Sequence, residues 1–139
     1  MSSPRKNTVG DDNRSTARER AVHFLYEAET RNIKVGEVIK TQILSVDDLV
    51  TMLASGTESK RQETDELITE FSHTWTIARM PAIDRNILRL AIFELIDRPE
   101  VPVAVVINEA VELAKRFSTE ESGKYVNGIL SAIAKRVRV

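Results

Sequence analysis

Cysteine is absent from the 139-residue chain, which excludes disulfides, thiolate metal ligands and a cysteine nucleophile. Long apolar runs are missing as well. The longest, VPVAVVI at 101–107, is far shorter than the roughly 20 residues of a spanning helix. No charged-then-apolar leader opens the chain, so a cytoplasmic location is expected. An excess of one charge is also lacking, with 20 Lys and Arg against 21 Asp and Glu. Any nucleic-acid binding must therefore rest on local clustering of cations rather than on net charge.

Catalytic signatures are equally scarce. There is no phosphate loop, no GxGxxG and no GxSxG. The two histidines, His23 and His73, lie far apart and outside any metal-ligand spacing such as HExxH, so both read as surface or boundary residues. The conspicuous carboxylates have structural explanations: Asp84 at a helix start, Glu121 in a capping box, Glu94 as an i,i+4 partner of Arg98. The expectation is a protein with no catalytic residues, no cofactor and no metal.

What the chain does have is helical periodicity. MSSPRKNTVGDD, residues 1–12, carries turn residues without an apolar period and reads as a mobile arm. From Asn13, the residues Ala17, Ala21, Phe24, Leu25 and Ala28 recur at helical spacing and predict a helix of about four turns. SVDDLVTMLASG has a start signal at Ser45 and Asp48 and a stop at Gly56. A longer helix should follow through Leu67, Ile68 and Phe71. WTIARMPAIDRN interrupts at Pro81, so residues 13–78 and 79–139 are expected to form two helical sub-bundles of one compact domain.

IDRNILRLAIFELIDR is apolar over more than half its circumference, as in a helix packed on several sides. EVP then breaks the chain. VAVVINEAVELAKRF turns Val103, Val106, Ile107, Ala110, Leu113, Ala114 and Phe117 to one face, with Glu112 and Arg116 paired opposite. STEE, Ser118 to Glu121, reads as a capping box opening a last helix to about Val137. Strict two-residue alternation is missing, and so are internal repeats. An all-α fold of two small bundles, six or seven helices in total, is predicted.

Within the last helix, Asn127-Gly128 has the form of a hairpin turn. Yet Val126, Ile129, Leu130, Ile133 and Val137 keep one stripe through it, so the pair must be helical. Gly128 falls opposite that stripe, where its cost of about 1 kcal/mol relative to Ala calls for a close neighbour, either another helix of the same chain or an RNA or partner backbone at the surface that Lys124 and Tyr125 mark. The helical wheel also turns some aromatics beside cations away from the core. Tyr26 lies opposite its stripe and beyond Arg18, Arg85 and Arg89 share a polar side with Phe93 a turn further, and Lys124 adjoins Tyr125. A base stacks on an exposed ring while neighbouring cations hold phosphates.

The run INEAVELAKRFSTEESGKYVNGILSAIAKRV resembles the NusB family of transcription antitermination factors, as does MPAIDRNILRLAIFEL. RSTARERAVHFLYEAE is similar to the family's first helix, and the resemblance spans about Asn13 to Val137. It implies two perpendicular helical bundles. It also implies binding to the boxA element of ribosomal RNA transcripts together with the ribosomal protein NusE, in a complex that joins RNA polymerase and other Nus factors. Arg14, Arg18 and Tyr26 then become RNA-binding candidates, with Glu121, Lys124 and Tyr125 at the start of the last helix and Arg89 beside them. Asp84 becomes a candidate NusE contact.

The chain departs from the family in its arginine block, where Ser15 and Thr16 stand after Asp11 and Asp12. Residues 1–20 hold five cations against three acids, a net of +2. Three to five neutralised phosphates would give a slope of log K against log salt of only about −2 to −4. Such a thin grip leaves an alternative open, a protein-interaction module that binds NusE or homodimerises with little RNA contact.

Overall fold

The computed structural model describes residues 9–138, with side chains from Asn13 onward. Among these residues there are seven α-helices, one 3-10 turn at Ile77–Arg79 and no strand. The helices are α1 (Val9–Arg31), α2 (Val35–Lys40), α3 (Asp48–Ser59), α4 (Arg61–Phe71), α5 (Ala82–Asp97), α6 (Val103–Phe117) and α7 (Glu120–Val137). All-α architecture is therefore as expected.

Helix α1 begins earlier than its apolar stripe indicates. Val9 to Asp12, assigned from sequence to the arm, are helical, while residues 1–8 lie outside the described part. At 23 residues it makes about six turns rather than four. The predicted stripe of Ala17, Ala21, Phe24, Leu25 and Ala28 is buried throughout. Asn32, at φ 56, ends the helix in a left-handed conformation that Asn tolerates. There the amides of Asn32 and Ile33 donate to the carbonyls of Glu29 and Ala28, at 3.1 and 3.0 Å, closing a Schellman motif.

Gly56 is not a stop. Helix α3 runs through it to Ser59 because the missing side chain admits the ring of Phe93: a Cβ there would lie 2.4 Å from Phe93 Cζ. The short α2 carries no start signal that the sequence displays. Helix α4, at 11 residues, is slightly shorter than the 12 of α3, not longer.

Helix α5 is the centre of the fold. It packs against α1, α3, α4, α6 and α7, and 11 of its 16 residues are buried, which accounts for an apolar surface covering most of its circumference. One contiguous core extends from Ala17 of α1 to Ala134 of α7, so residues on both sides of Pro81 bury their apolar faces together.

Asn127-Gly128 lies inside α7, with Val126, Ile129, Leu130 and Ile133 buried beneath. The cap is displaced by one residue from its expected place. Thr119 Oγ1 accepts the amide of Ser122 at 2.9 Å, whereas the Ser118 amide closes α6 onto Ala114 O at 2.8 Å. With a single residue pair between two helices, Ser118 finishes the first and Thr119 starts the second.

Candidate nucleic-acid interface

Two of the arginines expected at the surface are inside the protein. Arg18 is 4% exposed and forks onto Glu94, with Nε to Oε1 at 2.7 Å and Nη2 to Oε2 at 3.1 Å. Glu94 also accepts from Arg98 at 3.0 Å, the i,i+4 pair read from sequence. Arg89 is 3% exposed and forks onto Asp65 at 2.7 and 3.1 Å. The polar side of α5 therefore faces α4 and α1, not solvent. A buried guanidinium stripped of its carboxylate costs about 3–5 kcal/mol, so neither side chain is available to a phosphate.

Glu29 gathers the same region together. It accepts from Arg85 at 2.7 Å and from Asn86 at 2.8 Å, and lies 3.5 Å from Arg89. Burial pushes its carboxyl up, but the hydrogen bonds from Arg85 and Asn86 and the charges of Arg89 and Arg85 outweigh this and hold it below its ordinary value.

Three further expectations are corrected by packing. Tyr125 is half-buried: its ring lies against Trp75 with centroids 5.1 Å apart, and its hydroxyl shares a hydrogen bond with Ser72 Oγ. Asp84 is fully buried and accepts from Ser122 Oγ at 2.7 Å, so it presents nothing to a protein partner. Gly128 is exposed, and a Cβ there would meet nothing within 4 Å; among the described residues no helix packs against it, so the expected intrachain neighbour is absent there.

Arg14, Tyr26, Glu121 and Lys124 are exposed. What the structure adds to them is the end of α6. Phe117, assigned from sequence to the core face, is 36% exposed, because it is the last residue of α6 and projects past the core. The imidazole of His23 meets its ring edge-on at 4.7 Å and 89°. Tyr26, 41% exposed, follows one turn along α1. Arg116 lies over the Phe117 ring at 4.8 Å and donates to Glu19 at 3.1 Å, where the sequence had paired it with Glu112. Three residues after Phe117, α7 opens, with Glu120, Glu121 and Lys124 exposed.

Exposed rings with a guanidinium beside them and a lysine on the adjoining helix can stack bases and hold phosphates. Sequence reasoning missed His23, Arg116 and Phe117, since their proximity joins α1 to α6 across some 90 residues. His73 is exposed, as expected. Among the described residues no group of His, Cys, Asp or Glu is placed to hold a metal ion, and no helix is long and apolar enough to cross a membrane.

The pattern of the NusB family matches residues 15–135. The transcription antitermination protein NusB of Saccharopolyspora erythraea is 45% identical over 127 residues, covering 87% of this chain and 86% of that protein. That of Myxococcus xanthus is 42% identical over 131 residues, covering 87% and 94%. Among solved structures, T. maritima NusB superposes with a TM-score of 0.79 at 31% identity, over 97% of this chain and 93% of that one. A complex of antitermination factors NusB and NusE with dsRNA matches with a TM-score of 0.76 at 31% identity, over 88% and 96%.

Proposed function

The chain belongs to the NusB family, and from that membership we propose that it is a non-catalytic transcription antitermination factor of the cytoplasm. It binds boxA-type RNA of ribosomal RNA transcripts together with NusE, and so joins RNA polymerase and the other Nus factors. The observation that carries the RNA surface is the aromatic edge of Tyr26, His23 and Phe117, held exposed beside Arg116. Arg14 and Lys124, both exposed, serve as further phosphate ligands, and the exposed Glu121 as a hydrogen-bond acceptor for base amino groups. Arg18, Arg89 and Tyr125 act from beneath by holding the helices that carry these groups.

Fluorescence anisotropy with a boxA-type single-stranded RNA, with and without NusE, tests this. Three cations on single-stranded RNA predict a salt slope of about −2. Phe117→Ala should weaken binding by roughly 1–3 kcal/mol, the worth of one stacked base, and Lys124→Ala should reduce the slope. Unchanged affinity in both variants, with the fold intact by circular dichroism, removes this surface from the account.

One observation favours the alternative of NusE binding or homodimerisation with weak RNA contact: Arg18 and Arg89 are both withdrawn into ion pairs. Sedimentation velocity separates the two. A stable dimer that RNA neither binds nor dissociates supports the alternative.

A further inference from the structure

Asp84 lies at the third position of α5, and Ser122 at the third position of α7. The two residues are 38 apart in sequence, yet Ser122 Oγ donates to Asp84 Oδ2 at 2.7 Å with Asp84 0% and Ser122 2% exposed. Ser122 in turn organises the chain before it: its amide donates to Thr119 Oγ1 at 2.9 Å, and its hydroxyl lies 3.0 Å from Ser118 Oγ and 3.1 Å from Thr119 Oγ1. One buried carboxylate thus orders all three hydroxyls of the α6–α7 junction. Burying a carboxylate is unfavourable unless something compensates its charge. Here the positive ends of two helices converge on it, since Asp84 and Ser122 each sit in a first turn. Among the described residues, Asp84 Oδ1 has no hydrogen-bond partner, so Ser122 carries the link.

We propose that Asp84 is a positioning residue: through Ser122 it clasps the start of α7 to the start of α5, fixing Lys124 and Glu121 relative to Phe117. The proposal rests on the RNA surface described above for its functional consequence, but the clasp itself is independent of RNA. Both sides of the surface hang on this junction, Phe117 immediately before Ser118 and Lys124 two residues after Ser122. A junction ordered in advance spares the RNA the cost of ordering it.

The first measurement needs neither RNA nor a variant. Native-state hydrogen exchange should show the amides of Arg85 and Gly123, each in a first-turn hydrogen bond, opening in one cooperative unit; independent opening overturns the clasp. The double variant Asp84→Ala, Ser122→Ala removes both partners and so leaves no unpaired buried charge. It should exchange faster at 118–124 and bind boxA-type RNA about tenfold more weakly, as for loss of one hydrogen bond to a charged group. Its salt slope should equal that of the natural chain, whereas Lys124→Ala lowers the slope by about 0.7. Asp84→Asn keeps the acceptor for Ser122 and should bind within about twofold of the natural chain. Natural affinity in the double variant, or a lowered salt slope, overturns the positioning role. If the natural chain binds no RNA while Arg85 and Gly123 open together, the RNA surface falls and the clasp stands.

Discussion

Replacing Gly56 and Gly128 separately by alanine should move the stability of the fold in opposite directions, although both glycines lie inside helices. At Gly128 a Cβ meets nothing within 4 Å, so Gly128→Ala collects the helix-propensity gain of about 0.5–1 kcal/mol undiminished. At Gly56 the same methyl would sit 2.4 Å from Cζ and 2.7 Å from Cε1 of Phe93. That ring is 5% exposed and stands on α5, which is packed on several sides, so it has little room to retreat. Overpacking a core costs about 1–3 kcal/mol, which exceeds the propensity gain. Gly56→Ala should therefore be destabilising by a net of roughly 1 kcal/mol. For a chain of this size each kcal/mol displaces the melting temperature by about 3–4 °C. Urea denaturation followed by circular dichroism reads both shifts. Phe93→Leu, which removes the opposing ring edge, should recover much of the loss in Gly56→Ala as a favourable coupling in a double-mutant cycle. If both glycine variants stabilise equally, or if the Gly56 and Phe93 substitutions are merely additive, the close approach that carries α3 past Gly56 is refuted.

Acid titration should reveal Glu29. Its carboxyl is held below the ordinary value in the folded chain, so its contribution is present above about pH 4.5 and is lost as pH falls through the folded value; Glu29→Gln should flatten the acid limb of a plot of urea midpoint against pH. Among the described residues, Arg18→Ala leaves Glu94 with only Arg98 as its close partner, and it should cost roughly 3 kcal/mol. Loss of RNA binding with no loss of stability in that variant would contradict the burial of Arg18. Thr119→Ala should cost about 1 kcal/mol as a lost helix cap and Ser118→Ala clearly less, measured by thermal denaturation; the reverse order restores Ser118 as the cap.

Several features of the fold were legible in the sequence because they depend on residues a few positions apart. The stripe of Ala17, Ala21, Phe24, Leu25 and Ala28 is a property of the 3.6-residue turn, and all five are buried. Val126, Ile129 and Ile133 overrule the hairpin signal of Asn127-Gly128 by the same period. Family membership was legible too, since the motifs that carry it are contiguous. Tyr26 and Lys124 were correctly placed in solvent, each lying opposite a clean apolar stripe.

Where a helix is surrounded, that logic has nothing to distinguish. The arginines of α5 sit on its polar side, but the neighbour on that side is Asp65, 24 residues away, and Arg18 finds Glu94 across 76 residues. A periodicity says which residues share a face, and only the partner helix says whether that face is wet. Tyr125 was assigned to solvent by its own helix and is claimed by Trp75 from the chain before α5. Local periodicity and contiguous motifs suffice to make the chain helical, to mark its apolar stripes and to give its family. Packing between helices settles which cations pair with carboxylates, that Phe117 and His23 meet, and that the glycine with a close neighbour inside the fold is Gly56 rather than Gly128. The reason is range: helix periodicity and capping are set within about four residues, whereas burial of a charge or a ring is set by whatever the rest of the chain brings against it.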